Sequence, residues 1–144
     1  MKLNLAAIGI GAMVIAGLAI TFTKMGGNNG SVPESAWVSV QVPALTLTAQ
    51  KGEAAFNANC AACHGDNASG SEQGPPLVHN IYNPGHHADG AFFLAAKNGV
   101  RAHHWPFGDM PKQPQVSAGE VAAIIAYVRE LQAANGIVAQ PHNM

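Results

Sequence analysis

An all-α domain of short helices and long loops, preceded by a single N-terminal transmembrane helix, is the fold class that this 144-residue chain predicts. Three observations predict it. Leu3 to Thr23 contains no charged residue. From Thr46 onward, capped or alanine-rich helical stretches alternate with loops dense in Gly, Pro, Asn and Ser. No succession of strands and helices flanks any motif, and the length allows one domain with an appendage.

Residues 1–24 read as a membrane anchor. As a helix the apolar run is about 31 Å long, enough to cross a hydrocarbon core. A cleaved signal peptide is the competing reading, with small residues at Gly17-Leu18-Ala19. The run continues through Ile20 and Phe22, beyond that point, which favours a retained anchor. Lys2 and Lys24 flank it almost equally, so charge alone leaves its orientation open. Residues 25–43 follow as a linker: MGGNNGS is flexible by composition, and WVSVQVP alternates apolar and polar residues as a short extended lead-in on the domain surface.

The main domain spans residues 44–140, with 141–144 as a C-terminal tail. TAQKGEAAFNANCAACHG reads as a helix with Thr48 as its N-cap. DNASGSEQGPPLVHNIYNPGHH is too long for a free loop in a compact domain unless it wraps something. DGAFFLAAKNG is a short helix, with Asp89 to cap its start and Asn98-Gly99 to end it. VRAHHWPFGDMPKQPQV is another proline-bearing loop. Ser117-Ala-Gly-Glu120 is a capping box opening the last helix, in which Val121, Ile124, Ile125, Val128 and Leu131 share one face before Gly136 closes it.

Charged residues make up 10% of the chain and the net charge is −1, which speaks against a nucleic-acid partner. Aromatic residues make up 6%, thin for a core of this size, so a large buried cofactor would supply missing apolar filling.

CAACH, residues 60–64, contains both cysteines of the chain. A structural zinc site wants four ligands, and the second cysteine pair is missing, although the histidines keep zinc open. A thioredoxin-type pair wants its first cysteine at the start of a helix after a strand. Covalent haem wants two thiols and an adjacent imidazole on one turn, which alone explains why His64 follows Cys63 directly. Here the motif comes at the end of a helix, which counts against the thioredoxin arrangement.

GEAAFNANCAACHG, GPPL, GDMP and EVAAIIAYVRELQ occur in that order, and with them the chain resembles a class I monohaem cytochrome c of the membrane-anchored bacterial type over most of residues 46–136. The resemblance implies one covalently attached haem c. Cys60 and Cys63 would carry its thioethers, His64 the proximal imidazole and Met110 the sixth ligand. It further implies that the Pro75 carbonyl orients His64 and that Leu77 packs on the haem face. Gly52 and Phe56 match positions where the first helix crosses the last, with Tyr127 as partner. Arg101 and Trp105 are candidates for propionate contacts.

The remaining loop histidines, His79, His86, His87, His103 and His104, should border the haem crevice. They read either as solvent-facing loop residues or as a copper or zinc site. The expected function is one-electron carriage between redox-partner proteins, tethered to the lipid bilayer by the N-terminal helix. The expected location is the bacterial inner membrane, with the haem domain in the periplasm. A haem enzyme or sensor, peroxidase-like or copper-linked, is the alternative, with the sixth position opened beside those histidines.

Overall fold

Tight crossing of the first and last helices organises the domain, and it originates in one residue without a side chain. The computed structural model describes residues 37–140. All of these belong to one compact unit, Ser31–Met144. The predicted anchor over Leu3 to Thr23, the spacer and the tail lie outside the described residues. Among the described residues, no helix is long and apolar enough to cross a membrane.

Helix α1 spans Leu47–Asn59 and helix α4 spans Ala118–Ala134. Their contact is the largest between any two elements. At the crossing, a Cβ on Gly52 would stand 1.9 Å from the Ala123 carbonyl oxygen, so only glycine lets the two backbones approach this closely. Phe56 and Tyr127 fill the space beside it, with ring centroids 5.6 Å apart and planes inclined by 57°. Both are fully buried, together with Val128 and Leu131. The Tyr127 hydroxyl finds a partner in the Asn67 side-chain oxygen at 3.1 Å, as a buried phenol requires.

The capping box of α4 is present as its sequence predicts: Ser117 and Glu120 each accept from the other's backbone. Two other caps differ. Helix α1 is capped by Thr46 and not by Thr48, because Thr46 has tertiary partners. Its hydroxyl donates to Glu130 Oε1 at 2.6 Å and its amide to Glu130 Oε2 at 3.0 Å. Helix α3, Asp89–Asn98, takes Ala88 as N-cap. Asp89 instead directs its carboxylate to Arg129, at 2.9 Å.

Between α1 and α3 lie a one-turn helix α2 (Ala61–His64) and two 3₁₀ turns, Asp66–Ala68 and Asn80–Tyr82. Strands are absent among the described residues, where only isolated antiparallel bridges occur, Ser71 with Gly74 and Val100 with Met110. The lead-in WVSVQVP is more than a surface strap. Val38 and Val40 pack on the core. Gln41 exchanges two hydrogen bonds with the Asn135 side chain, each 2.8 Å. Trp37 meets the Phe107 ring at 4.8 Å.

Candidate functional site: a haem-sized cavity

Helix α1 ends at Asn59 and the chain kinks at Cys60 (φ −120°) before the single turn of α2. CAACH therefore begins where α1 stops, a finer placement than its expected position at a helix end. The Cys60 carbonyl accepts from Cys63 N at 3.1 Å and His64 N at 2.9 Å, so the motif closes on itself. Its exit is pinned by Gly70 N donating to the His64 carbonyl at 2.7 Å, and by the Ser71 hydroxyl donating to the Cys63 carbonyl at 2.6 Å.

The His64 ring is oriented from across the loop, with Nδ1 2.9 Å from the Pro75 carbonyl oxygen. A carbonyl only accepts, so Nδ1 carries the proton and Nε2 keeps its lone pair in the neutral ring. Burial pushes the His64 pKa down, and the Pro75 contact opposes this in part. Neutral imidazole is the form that binds a metal. The Cys60 thiol is pushed up to about 11, first by burial and then by the neighbouring Cys63. A redox-active cysteine of the thioredoxin kind needs the opposite shift.

Met110 comes from a different part of the chain. Val100 and Met110 exchange two backbone hydrogen bonds of 2.9 Å, closing the intervening loop at its base. The Asp109 carboxylate accepts from Ala102 N at 2.8 Å as a second tie. Gly99, at φ +77°, makes the closure possible, since a Cβ there would meet the Met110 carbonyl oxygen at 2.5 Å.

These elements enclose a cavity of about 600 Å³, within the range of a site for one organic cofactor. Cys60, His64, Pro75, Leu77, Arg101, Trp105 and Met110 all line it. Cys63 lies one turn away and is exposed. Phe56, Phe92, Val116, Val121 and Ile124 make much of the wall apolar. The Trp105 indole N–H is buried without a well-formed hydrogen bond, although Tyr82 interacts with it. A donor so weakly engaged, beside an apolar cavity, suits a large flat group bearing a few acceptors. The residues fit a covalently held haem: two thiols on one turn, an oriented imidazole, an apolar wall and a thioether on a clamped loop.

The loop histidines divide. His87, His103 and His104 line the cavity, whereas His79 and His86 do not, so the expectation that all five border the crevice is corrected for those two. His79 Nδ1 accepts from Ile81 N at 3.2 Å and caps the second 3₁₀ turn. His86 packs on the outer side of a ring cluster whose other members, His87, His103 and His104, line the cavity.

Sequence reasoning overlooked Arg129. Its Nη1 donates to the Tyr82 carbonyl at 2.8 Å and to Gln132 Oε1 at 2.7 Å, its Nη2 donates to the His87 carbonyl, and its Nε pairs with Asp89. The guanidinium carbon also lies 5.0 Å from the Phe92 ring centroid. One side chain thus ties α4 to the second 3₁₀ turn, the His87 loop and α3, three parts of the cavity's surround. The available signal was the single basic residue of α4, set among Val121, Ile124, Ile125, Val128 and Leu131.

The fold and the cavity define a small all-α protein built around a thiol-attached haem. The cytochrome c family model matches residues 49–132, more than half of the chain, and the chain belongs to the cytochrome c family. Its cofactor is covalently attached haem c, and it is an electron-transfer haem protein. No curated protein and no solved structure matches it.

Proposed function

We propose that this chain is a class I, His/Met-ligated carrier of single electrons, held at the bacterial inner membrane by an uncleaved Leu3–Thr23 helix with its haem domain in the periplasm. It would pass electrons between membrane-associated partners of a respiratory or similar chain. The observation that carries the reading is that His64 and Met110 line one cavity from separate, independently clamped segments. When bound, haem c supplies a one-electron iron couple. The protein's part is to hold and tune it. Cys60 and Cys63 offer the two attachment thiols, and Pro75 holds the His64 proton on Nδ1, which leaves Nε2 as the ligand atom. Met110 presents a soft neutral thioether, which favours the reduced metal and raises the potential. Leu77, Ile124 and the neighbouring apolar side chains keep water from the cavity, and Trp105 offers a neutral donor to a propionate. The low net charge supports docking that depends little on electrostatic steering.

Optical and redox spectroscopy of the oxidised protein tests this. Met110→Ala should lose the signature of sulfur–iron coordination and lower the midpoint potential, with His103 or His104 replacing the thioether. An unchanged spectrum in Met110→Ala would remove Met110 as ligand. Haem staining after denaturation tests attachment, and the intact mass of the membrane fraction tests the anchor: a soluble product beginning near Ile20 would show cleavage.

A further inference from the structure

Four imidazoles from two loops converge at one edge of the domain. Ring centroids lie 4.5 Å apart for His86 and His87, 5.3 Å for His86 and His104, and 5.2 Å for His87 and His104. His103 packs on His104 at 4.2 Å. One ligand nitrogen from each of His86, His87 and His104 falls within 4.8 Å of the other two. We propose that His86, His87 and His104 form a binding site for a zinc-like divalent transition-metal ion, distinct from the haem iron.

Three observations support it. The first is spacing: His86 Nε2 and His104 Nε2 stand 3.4 Å apart. Two nitrogens bound tetrahedrally at about 2.0–2.1 Å lie about 3.3 Å apart, whereas adjacent corners of a square-planar cupric site would lie about 2.9 Å apart. A distance of 3.4 Å is also long for a hydrogen bond, and two facing nitrogens of neutral rings can share one proton at most. A cation uses both lone pairs.

The second is orientation. His87 Nδ1 lies 2.7 Å from the Ile81 carbonyl oxygen, so Nδ1 donates and Nε2 is the lone-pair nitrogen. Zinc-binding histidines show this arrangement, with the second ring nitrogen donating to a backbone carbonyl.

The third is scaffolding. His86 N and His87 N both donate to the Asn83 carbonyl, at 3.0 and 2.9 Å, and Asn83 itself is buried. Arg129 holds the His87 carbonyl. His104 sits in the loop closed by the Val100–Met110 pair. Two of the ligands are thus fixed by α4 and Asn83, and the third by the clamped loop. The donor set is entirely imidazole, which suits zinc, copper or nickel over calcium or magnesium.

The test uses the full-length, haem-loaded protein in detergent, titrated calorimetrically with Zn²⁺ and, in a parallel arm, with Cu²⁺. Wild type should take up one Zn²⁺ per chain and retain it through dialysis. His86→Ala, His87→Ala and His104→Ala should each weaken Zn²⁺ binding at least about tenfold. His86→Ala, whose ring is off the haem cavity, should do so with an unchanged haem spectrum, which excludes misfolding as the cause. His79→Ala should bind as wild type. Failure of wild type to bind stoichiometric Zn²⁺, or retention of full affinity when all three histidines are replaced, would overturn the proposal. Stoichiometric Cu²⁺ uptake without Zn²⁺ uptake would overturn the tetrahedral assignment.

Discussion

Two regions of this molecule are built on different principles. The α1–α4 crossing is apolar and close-packed, with Phe56, Tyr127, Val128 and Leu131 fully buried around a glycine contact. The side made of residues 79–110 has almost no buried hydrophobic side chain of its own. Apolar side chains of this side, Phe92 and Leu94 of helix α3 and Val100 among them, line the haem cavity and are not among the buried residues of the α1–α4 core. Hydrogen bonds hold it instead: Asn83 and Arg129 satisfy the backbone of the histidine turn, and the Val100–Met110 pair closes the next loop. Burial is non-directional and gives a robust frame. Directional bonds fix ligand-bearing side chains in position without filling the space that the haem needs. Stability and site geometry are therefore carried by different parts of the chain.

The largest test of that comparison is Gly52→Ala. With the Ala123 carbonyl 1.9 Å from the new Cβ, the helices must separate, and a loss above about 5 kcal/mol or failure to fold is expected in denaturant titration. A loss below about 1 kcal/mol would mean that the crossing is not close-packed. Tyr127→Ala should cost about 3–5 kcal/mol, the range for deleting a buried aromatic. Tyr127→Phe, which removes only the bond to Asn67, should cost about 1 kcal/mol.

Arg129→Met probes the other region. It keeps bulk but leaves the Tyr82 and His87 carbonyls without their donor, so about 2–3 kcal/mol is expected. Hydrogen exchange should rise over residues 80–91 and stay slow along α1. Uniform acceleration across both regions would erase the distinction drawn between them.

The smallest effect concerns the α4 cap, and it is pH-dependent. Hydrogen bonds to the Ser117 side chain and backbone lower the Glu120 pKa below its ordinary value of 4.5. Its contribution is therefore complete above about pH 4.5 and fades as the pH falls through the depressed folded value. Glu120→Gln should flatten the acid limb of the stability curve. Ser117→Ala should cost about 1 kcal/mol at neutral pH. An acid limb with the same slope in Glu120→Gln would show that other carboxylates set it.

Sequence alone determined the all-α character, the three longer helices α1, α3 and α4 in order, the capping box of α4 and the close approach at Gly52, but not the break at Cys60 that sets α2 apart. Each of these rests on local chemistry or on a motif whose spacing is its function. It also named Cys60, His64, Pro75, Leu77 and Met110 together through the common order of the CAACH, GPPL and GDMP elements, and these line one cavity, as do the propionate candidates Arg101 and Trp105. Tertiary structure decided the rest. Thr46 displaced Thr48 as a cap because Glu130, 84 residues away, offered it two bonds. Asp89 left its expected capping role for Arg129, 40 residues distant. His79 became a cap, and His86, His87 and His104 came to ligand spacing, two of them also lining the cavity, only when the 83–88 turn met the 101–109 loop. Those outcomes depend on partners far apart in the chain, and neither propensity nor periodicity encodes which distant partner a polar side chain will meet.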